Sequence, residues 1–83
     1  MLLENLDKLH TTPLGAERIR RNLKLTTDDV VGWCRDAIAE PDARISRKGK
    51  NWYVSIRGCV ITVNAHSYTI ITAHPDKSVD VGV

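Results

Sequence analysis

Two hydrophobic periods divide this chain near its middle. Up to Ile38, apolar residues recur at intervals of three and four; from Ile45 onward they alternate with polar ones. Leu2, Leu3, Leu6 and Leu9 predict a first short helix, from Met1 to about His10, with Glu4, Asp7 and Lys8 outward. Thr11-Thr12-Pro13 is a start signal, a hydroxyl cap followed by proline in the first turn. A second helix should run from Pro13 to Leu23, with Leu14, Ile19 and Leu23 inward and Glu17, Arg18 and Arg21 outward. Thr26-Thr27-Asp28-Asp29 opens a third helix: Thr caps it and the acids face the positive end of its dipole. Val30, Val31, Cys34, Ala37 and Ile38 form its inner face, and Pro41-Asp42 ends it.

Alternation then defines four strands. Ile45 opens the first, and Lys48-Gly49-Lys50-Asn51 turns it. Trp52, Val54 and Ile56 alternate with Tyr53, Ser55 and Arg57, and Arg57-Gly58 is a tight turn. Cys59, Ile61 and Val63 alternate with Val60, Thr62 and Asn64 up to the bend at Ala65-His66-Ser67. Thr69, Ile71 and Ala73 alternate with Tyr68, Ile70, Thr72 and His74, and Pro75-Asp76 stops the last strand. The tail, Lys77 to Val83, reads as a frayed end or a weak edge strand.

Helices followed by strands indicate an α+β fold. The expectation is one domain over residues 1–83: a helical part at 1–41, an antiparallel sheet at 42–75 and a tail at 76–83. About three short N-terminal helices pack on one face of a four-stranded antiparallel β-meander, with the third helix lying across the sheet. Ile45, Trp52, Val54, Ile56, Ile61, Val63, Ile71 and Ala73 should face the core. Tyr53, Ser55, Arg57, Thr62, Asn64, Tyr68, Thr72 and His74 should line the open face, with Ser46 and Lys48 beside them and His66 at the rim. A one-residue slip would exchange the two sets.

Composition constrains the function classes. The 83 residues are 42% apolar and 27% charged, which is globular rather than disordered. With no Phe, the core must be Leu, Ile and Val around Trp33 and Trp52. The formal charge of +2 is too small for a strongly basic nucleic-acid binder, so its distribution matters more. Arg18, Arg20, Arg21 and Lys24 make one basic cluster; Arg44, Arg47, Lys48 and Lys50 make another. Each is either a phosphate-binding patch or ordinary solvated surface. Cys34 and Cys59 sit among apolar residues, as reduced core thiols do. No apolar stretch has the pattern of a secretion signal or a membrane span, so the expected location is cytoplasmic.

The open face carries the candidate chemistry. Cleaving RNA without metal needs a base for the 2′-hydroxyl, an acid for the leaving oxygen and a cation for the phosphorane. His74 and His66 are the candidate base and acid, with Thr72 and Asn64 as hydrogen-bond donors beside them. Arg47, Lys48, Lys50 and Arg57 are candidates for phosphate binding, and Tyr53 and Tyr68 for stacking on a base. A plain, wet strand surface explains the same residues without function. His10 reads best as a cap on the first helix. No metal and no cofactor is expected. His66, His74 and Cys59 fall short of the three or four ligands that zinc wants, and no glycine-rich phosphate loop or nucleophile elbow is present.

Two resemblances add to this. Leu9-His10-Thr11-Thr12-Pro13-Leu14-Gly15, Arg18 to Leu23, Arg47 to Val54 and Cys59 to His74 together resemble a small bacterial family known only as a domain of unknown function. That likeness spans nearly the whole chain and implies no activity. The last strand, Ile70-Ile71-Thr72-Ala73-His74, with the basic first hairpin, resembles the barnase/colicin-type ribonuclease toxins. That likeness implies a sheet face carrying catalytic His, Thr and basic residues; the upstream catalytic histidine of those enzymes has no counterpart except His10. The expected partner is RNA, or, in the competing reading, a protein bound by a non-catalytic regulator or inhibitor. No membrane partner is expected, and the chain is a monomer or an edge-strand dimer.

Overall fold

The computed structural model describes residues 1–76; the expectation for the tail lies outside the described residues. Three helical segments precede a four-stranded antiparallel sheet: a 3₁₀ segment at Leu2–Lys8, α1 at Pro13–Leu23, α2 at Val30–Ile38, then β1 Arg44–Lys48, β2 Asn51–Ile56, β3 Cys59–Asn64 and β4 Ile70–Pro75. The strands lie in sequence order, β1-β2-β3-β4. The predicted α+β architecture is the one found.

Local chemistry explains the element ends. Thr12 Oγ1 accepts the Gly15 N–H at 3.0 Å, and Pro13 fills the first helical position, where an N–H would have no partner. The α1 terminus closes with Leu25 N–H on Arg20 O and Lys24 N–H on Arg21 O, which places Lys24 in the left-handed region at φ 55°. Asp29, not a threonine, caps α2. Its carboxylate accepts the Gly32 N–H at 2.9 Å, and Thr27 Oγ1 instead holds the Asp29 N–H. Arg57 and Gly58 both have positive φ, as a tight two-residue hairpin with the twist of its strands requires.

The first segment departs from the expected α-helix. It is 3₁₀, interrupted at Asn5, and it ends at Lys8. Leu9 to Thr12 run extended because their polar groups serve the outer edge of β4. His10 N–H donates to Tyr68 O, Ile70 N–H donates to His10 O, and Thr11 Oγ1 donates to Ile70 O. From α1, Asn22 Nδ2 donates to Ala73 O at 3.2 Å. Satisfying an otherwise bare strand edge outweighs continuing a short helix. His10 both caps the first segment, as expected, and clasps it to the sheet. Its Nδ1 donates to Lys8 O at 2.9 Å, leaving Nε2 to accept from the Thr69 hydroxyl at 3.1 Å.

The covered face is shared by two α-helices, α1 over β4 and α2 over β2. Leu2, Leu9, Ile19, Cys34, Ala37, Ile38, Val54, Ile61, Val63 and Ala73 form the centre of the core. Leu14 was expected inward but is exposed. It lies five residues from Ile19, nearly on the opposite side of the helix, whereas Ala16 and Leu23 fall at the right spacing. On β4 the buried isoleucine is Ile70, at 1% exposure, and not Ile71, at 42%. A β-bulge is the cause: Val63 pairs with Ile70 but Thr62 pairs with Thr72, so Ile71 is an extra residue. Beyond the bulge, Thr72, Ala73 and His74 face as predicted.

Candidate nucleic-acid interface

Strand register builds the open face as three rows. Lys48, Asn51 and Asn64 form the first; Ser46, Tyr53, Thr62 and Thr72 the second; Arg44, Ser55, Val60 and His74 the third. Residues directly opposite in a pleated sheet share a face, so each row crosses it. Tyr53 stands in the middle row, half-buried, between Ser46 and Thr62. Thr62 is 7% exposed although no helix covers it, because its cross-strand neighbours shield it.

Of the residues named from sequence, Thr72, His74, Asn64, Lys48 and Tyr53 do lie on this face. His74 Nδ1 donates to Pro75 O at 3.1 Å, which leaves Nε2 of the neutral ring as an acceptor or base. Asn64 is occupied with structure. Its Oδ1 accepts from His66 N–H, Ser67 N–H and Ser67 Oγ, and its Nδ2 points to Asn51 Oδ1 at 3.4 Å.

Arg57 and Tyr68 are not on the open face. Arg57 pairs with Glu40 at the end of α2, and its guanidinium lies 5.0 Å from the centre of the Trp33 ring. Its positive φ, set by the tight turn, swings it off the strand pattern toward the helices. Tyr68 also has positive φ; its ring centre lies 5.4 Å from that of Trp52 with the planes tilted by 39°, and Lys8 Nζ sits over the Tyr68 ring at 5.4 Å from its centre. Arg47 sits opposite Trp52 and therefore on the covered side, at the sheet end, where it meets Lys50 and His66.

The two histidines are not brought together. His74 pairs with Val60, whereas His66 lies beyond Asn64, so at ~3.3 Å per residue they stand roughly 13 Å or more apart along the sheet. The two rings therefore start from opposite ends of β3 and share no hydrogen bond or row of the sheet. Among the described residues no three His, Cys, Asp or Glu side chains are grouped as metal ligands, and no helix is long and apolar enough to cross a membrane. Cys34 and Cys59 are free and buried; burial, then the neighbouring Cys59, pushes the Cys34 thiol up to about 12.

Sequence reasoning missed two contributors and one pattern. Arg44 and Asn51 join the face, as simple extension of the alternation would have shown. From Ala43 to Pro75 the chain has five Lys/Arg and no Asp or Glu, whereas residues 1–42 have eight Asp/Glu against six Lys/Arg. The sheet is thus the cationic half of the protein, and a direct count reveals it.

No curated protein and no solved structure matches the chain. A family model described as a protein of unknown function, DUF3781, matches residues 3–74. With nearly the whole described fold inside that match, the chain belongs to the DUF3781 family.

Proposed function

We propose that this protein is an RNA-directed module that binds single-stranded RNA across its open sheet face. The observation that supports this best is a face whose strand residues include no carboxylate, with Tyr53 at its centre and Arg44 and Lys48 along β1; among the described residues acids enter only at the Arg44 end, where Asp42 and Asp76 share a cleft with Arg44 and Ser55. A flat ring offers a stacking surface to an unpaired base, and cations along one edge track the phosphates. Hydroxyls and amides on either side supply hydrogen bonds to base edges and to the 2′-hydroxyl. His74 Nε2, an acceptor, suits that hydroxyl's proton. The likeness to ribonuclease toxins adds a cleavage role for His74 and Thr72. His66 and His74 lie at opposite ends of β3 rather than side by side, so binding is the part this reading rests on.

Fluorescence anisotropy with a labelled oligoribonucleotide tests this. Wild type should bind, and Tyr53→Ala should weaken binding by about tenfold, as loss of one stacked base predicts. Equal affinity in both would remove the stacking role. Incubating the same RNA with wild type and His74→Ala in EDTA separates cleavage from binding: a product formed by wild type alone would restore the nuclease reading.

A second reading keeps a protein partner. Among the described residues the outer edge of β1 takes no backbone hydrogen bonds from another segment, unlike that of β4, and an extended peptide could pair there. Absence of RNA binding with a peptide captured on β1 would favour a non-catalytic regulator.

A further inference from the structure

The tip of the β1-β2 hairpin and the β3-β4 turn meet at one end of the sheet, where Ala65 N–H donates to Lys50 O at 2.7 Å. Between them lies a cleft lined by Arg47, Lys50, Asn64, Ala65 and His66. Its lining contains three cationic or protonatable side chains and no acid. Arg47 is held in place: Nε donates to Gly49 O at 3.0 Å, and the guanidinium rests 5.6 Å from the Trp52 ring centre. Its two terminal nitrogens, the Lys50 ammonium and the His66 ring have no hydrogen-bond or ion-pair partner among the described residues. Asn64 fixes the far wall by binding the His66 and Ser67 amides.

We infer that this cleft is a binding site for a phosphate dianion, of the kind carried by a phosphomonoester. A guanidinium fork already anchored at Nε presents two parallel donors, which matches two phosphate oxygens. Lys50, from the same hairpin tip, and His66, from the facing β3-β4 turn, supply donors to the remaining oxygens. A dianion has more charge and more free oxygens than a backbone diester, so a cluster without counterions at the end of the sheet selects a terminal phosphate. The source is either inorganic phosphate or the phosphorylated end of an RNA lying on the open face. Only the second source rests on the RNA reading above.

Two titrations test it, each followed by amide NMR on wild type and on Lys50→Gln and His66→Gln. Inorganic phosphate alone should move the Lys50, Ala65 and His66 resonances in wild type and lose that effect in both variants. Oligoribonucleotides with a 5′- or 3′-terminal phosphate should bind about tenfold tighter than the same sequence with hydroxyl ends, as one or two charge-assisted hydrogen bonds predict. That advantage should vanish in the variants while affinity for the hydroxyl-ended RNA stays. Phosphate shifts without any RNA binding would support the cleft as a site for free phosphate and sink the open-face reading alone. Absent or diffuse phosphate shifts, with no preference for phosphorylated ends, would overturn this inference even if RNA binds the face. Both substitutions lie at exposed positions, and a dispersed spectrum of each variant confirms the fold.

Discussion

The two basic clusters carry four Lys/Arg each and sit in opposite electrostatic settings. On α1, Glu17 lies among the cations: it bonds Arg20 at 2.8 Å and reaches Arg21 at 3.5 Å. Lys24 there closes the helix. On the first hairpin, Arg44, Arg47, Lys48 and Lys50 form no ion pair among the described residues and none of the strands supplies a carboxylate, although Arg44 shares a cleft with Asp42 and Asp76. Equal counts of positive charge therefore mean different things. A cluster with its own counterion is partly neutralised, as Arg20 and Arg21 are by Glu17, whereas one without it keeps its full attraction for an external anion. At physiological salt that attraction reaches only ~8 Å, so counterion placement within each cluster matters more than the net charge of +2.

Charge reversal should break this comparison most strongly. Arg44→Glu with Lys48→Glu should lower RNA affinity by about a hundredfold at low salt, because single-stranded binding scales steeply with the cations engaged. Arg18→Glu with Arg21→Glu should change it by less than about threefold. Similar losses in both pairs would mean that only total charge matters. A milder test is Lys48→Gln. The slope of log affinity against log salt should flatten by about 0.7 for that one cation, with the same substitution at Lys24 leaving it unchanged.

The smallest effect concerns the counterion itself. The Arg20 hydrogen bond, and then the Arg20 charge, hold the Glu17 carboxyl below its ordinary value. A carboxyl lowered in the folded state stabilises above its unfolded value and loses that contribution as pH falls through the folded one. Glu17→Gln should thus lower Tm slightly at neutral pH, and the gap to wild type should close on acidification below the usual carboxylate range. The pair is exposed, so the shift will be near the limit of thermal measurement. If Glu17 does silence the helix cluster, the same variant should also gain a little RNA affinity at low salt.

Much of this was legible in the sequence. The change of hydrophobic period separates helices from strands, and alternation alone places Tyr53, Thr62, Thr72 and His74 on one face. The misses share one physical origin, in contacts between distant segments. Nothing local in Leu9 to Thr12 shows that its backbone will cover β4 instead of extending a helix. The bulge at Ile71 is equally invisible locally, since two adjacent isoleucines satisfy either register. Arg57 and Tyr68 left the predicted face because positive φ at a turn re-aims a side chain that strict alternation assigns elsewhere. Arg57 then finds Glu40, seventeen residues away in sequence, and Tyr68 finds Trp52. The separation of His66 from His74 follows from hairpin length, which the sequence does contain. Listing both histidines on one face had concealed that they sit at its two ends.

Mapping a bound oligoribonucleotide onto wild-type protein by amide NMR tests the central claim most directly. The account predicts shifts in Arg44–Lys48, Asn51–Ser55, Val60–Asn64 and Thr72–His74, with α1 unmoved. Shifts confined to Arg18–Lys24, or none at saturating RNA, would contradict it.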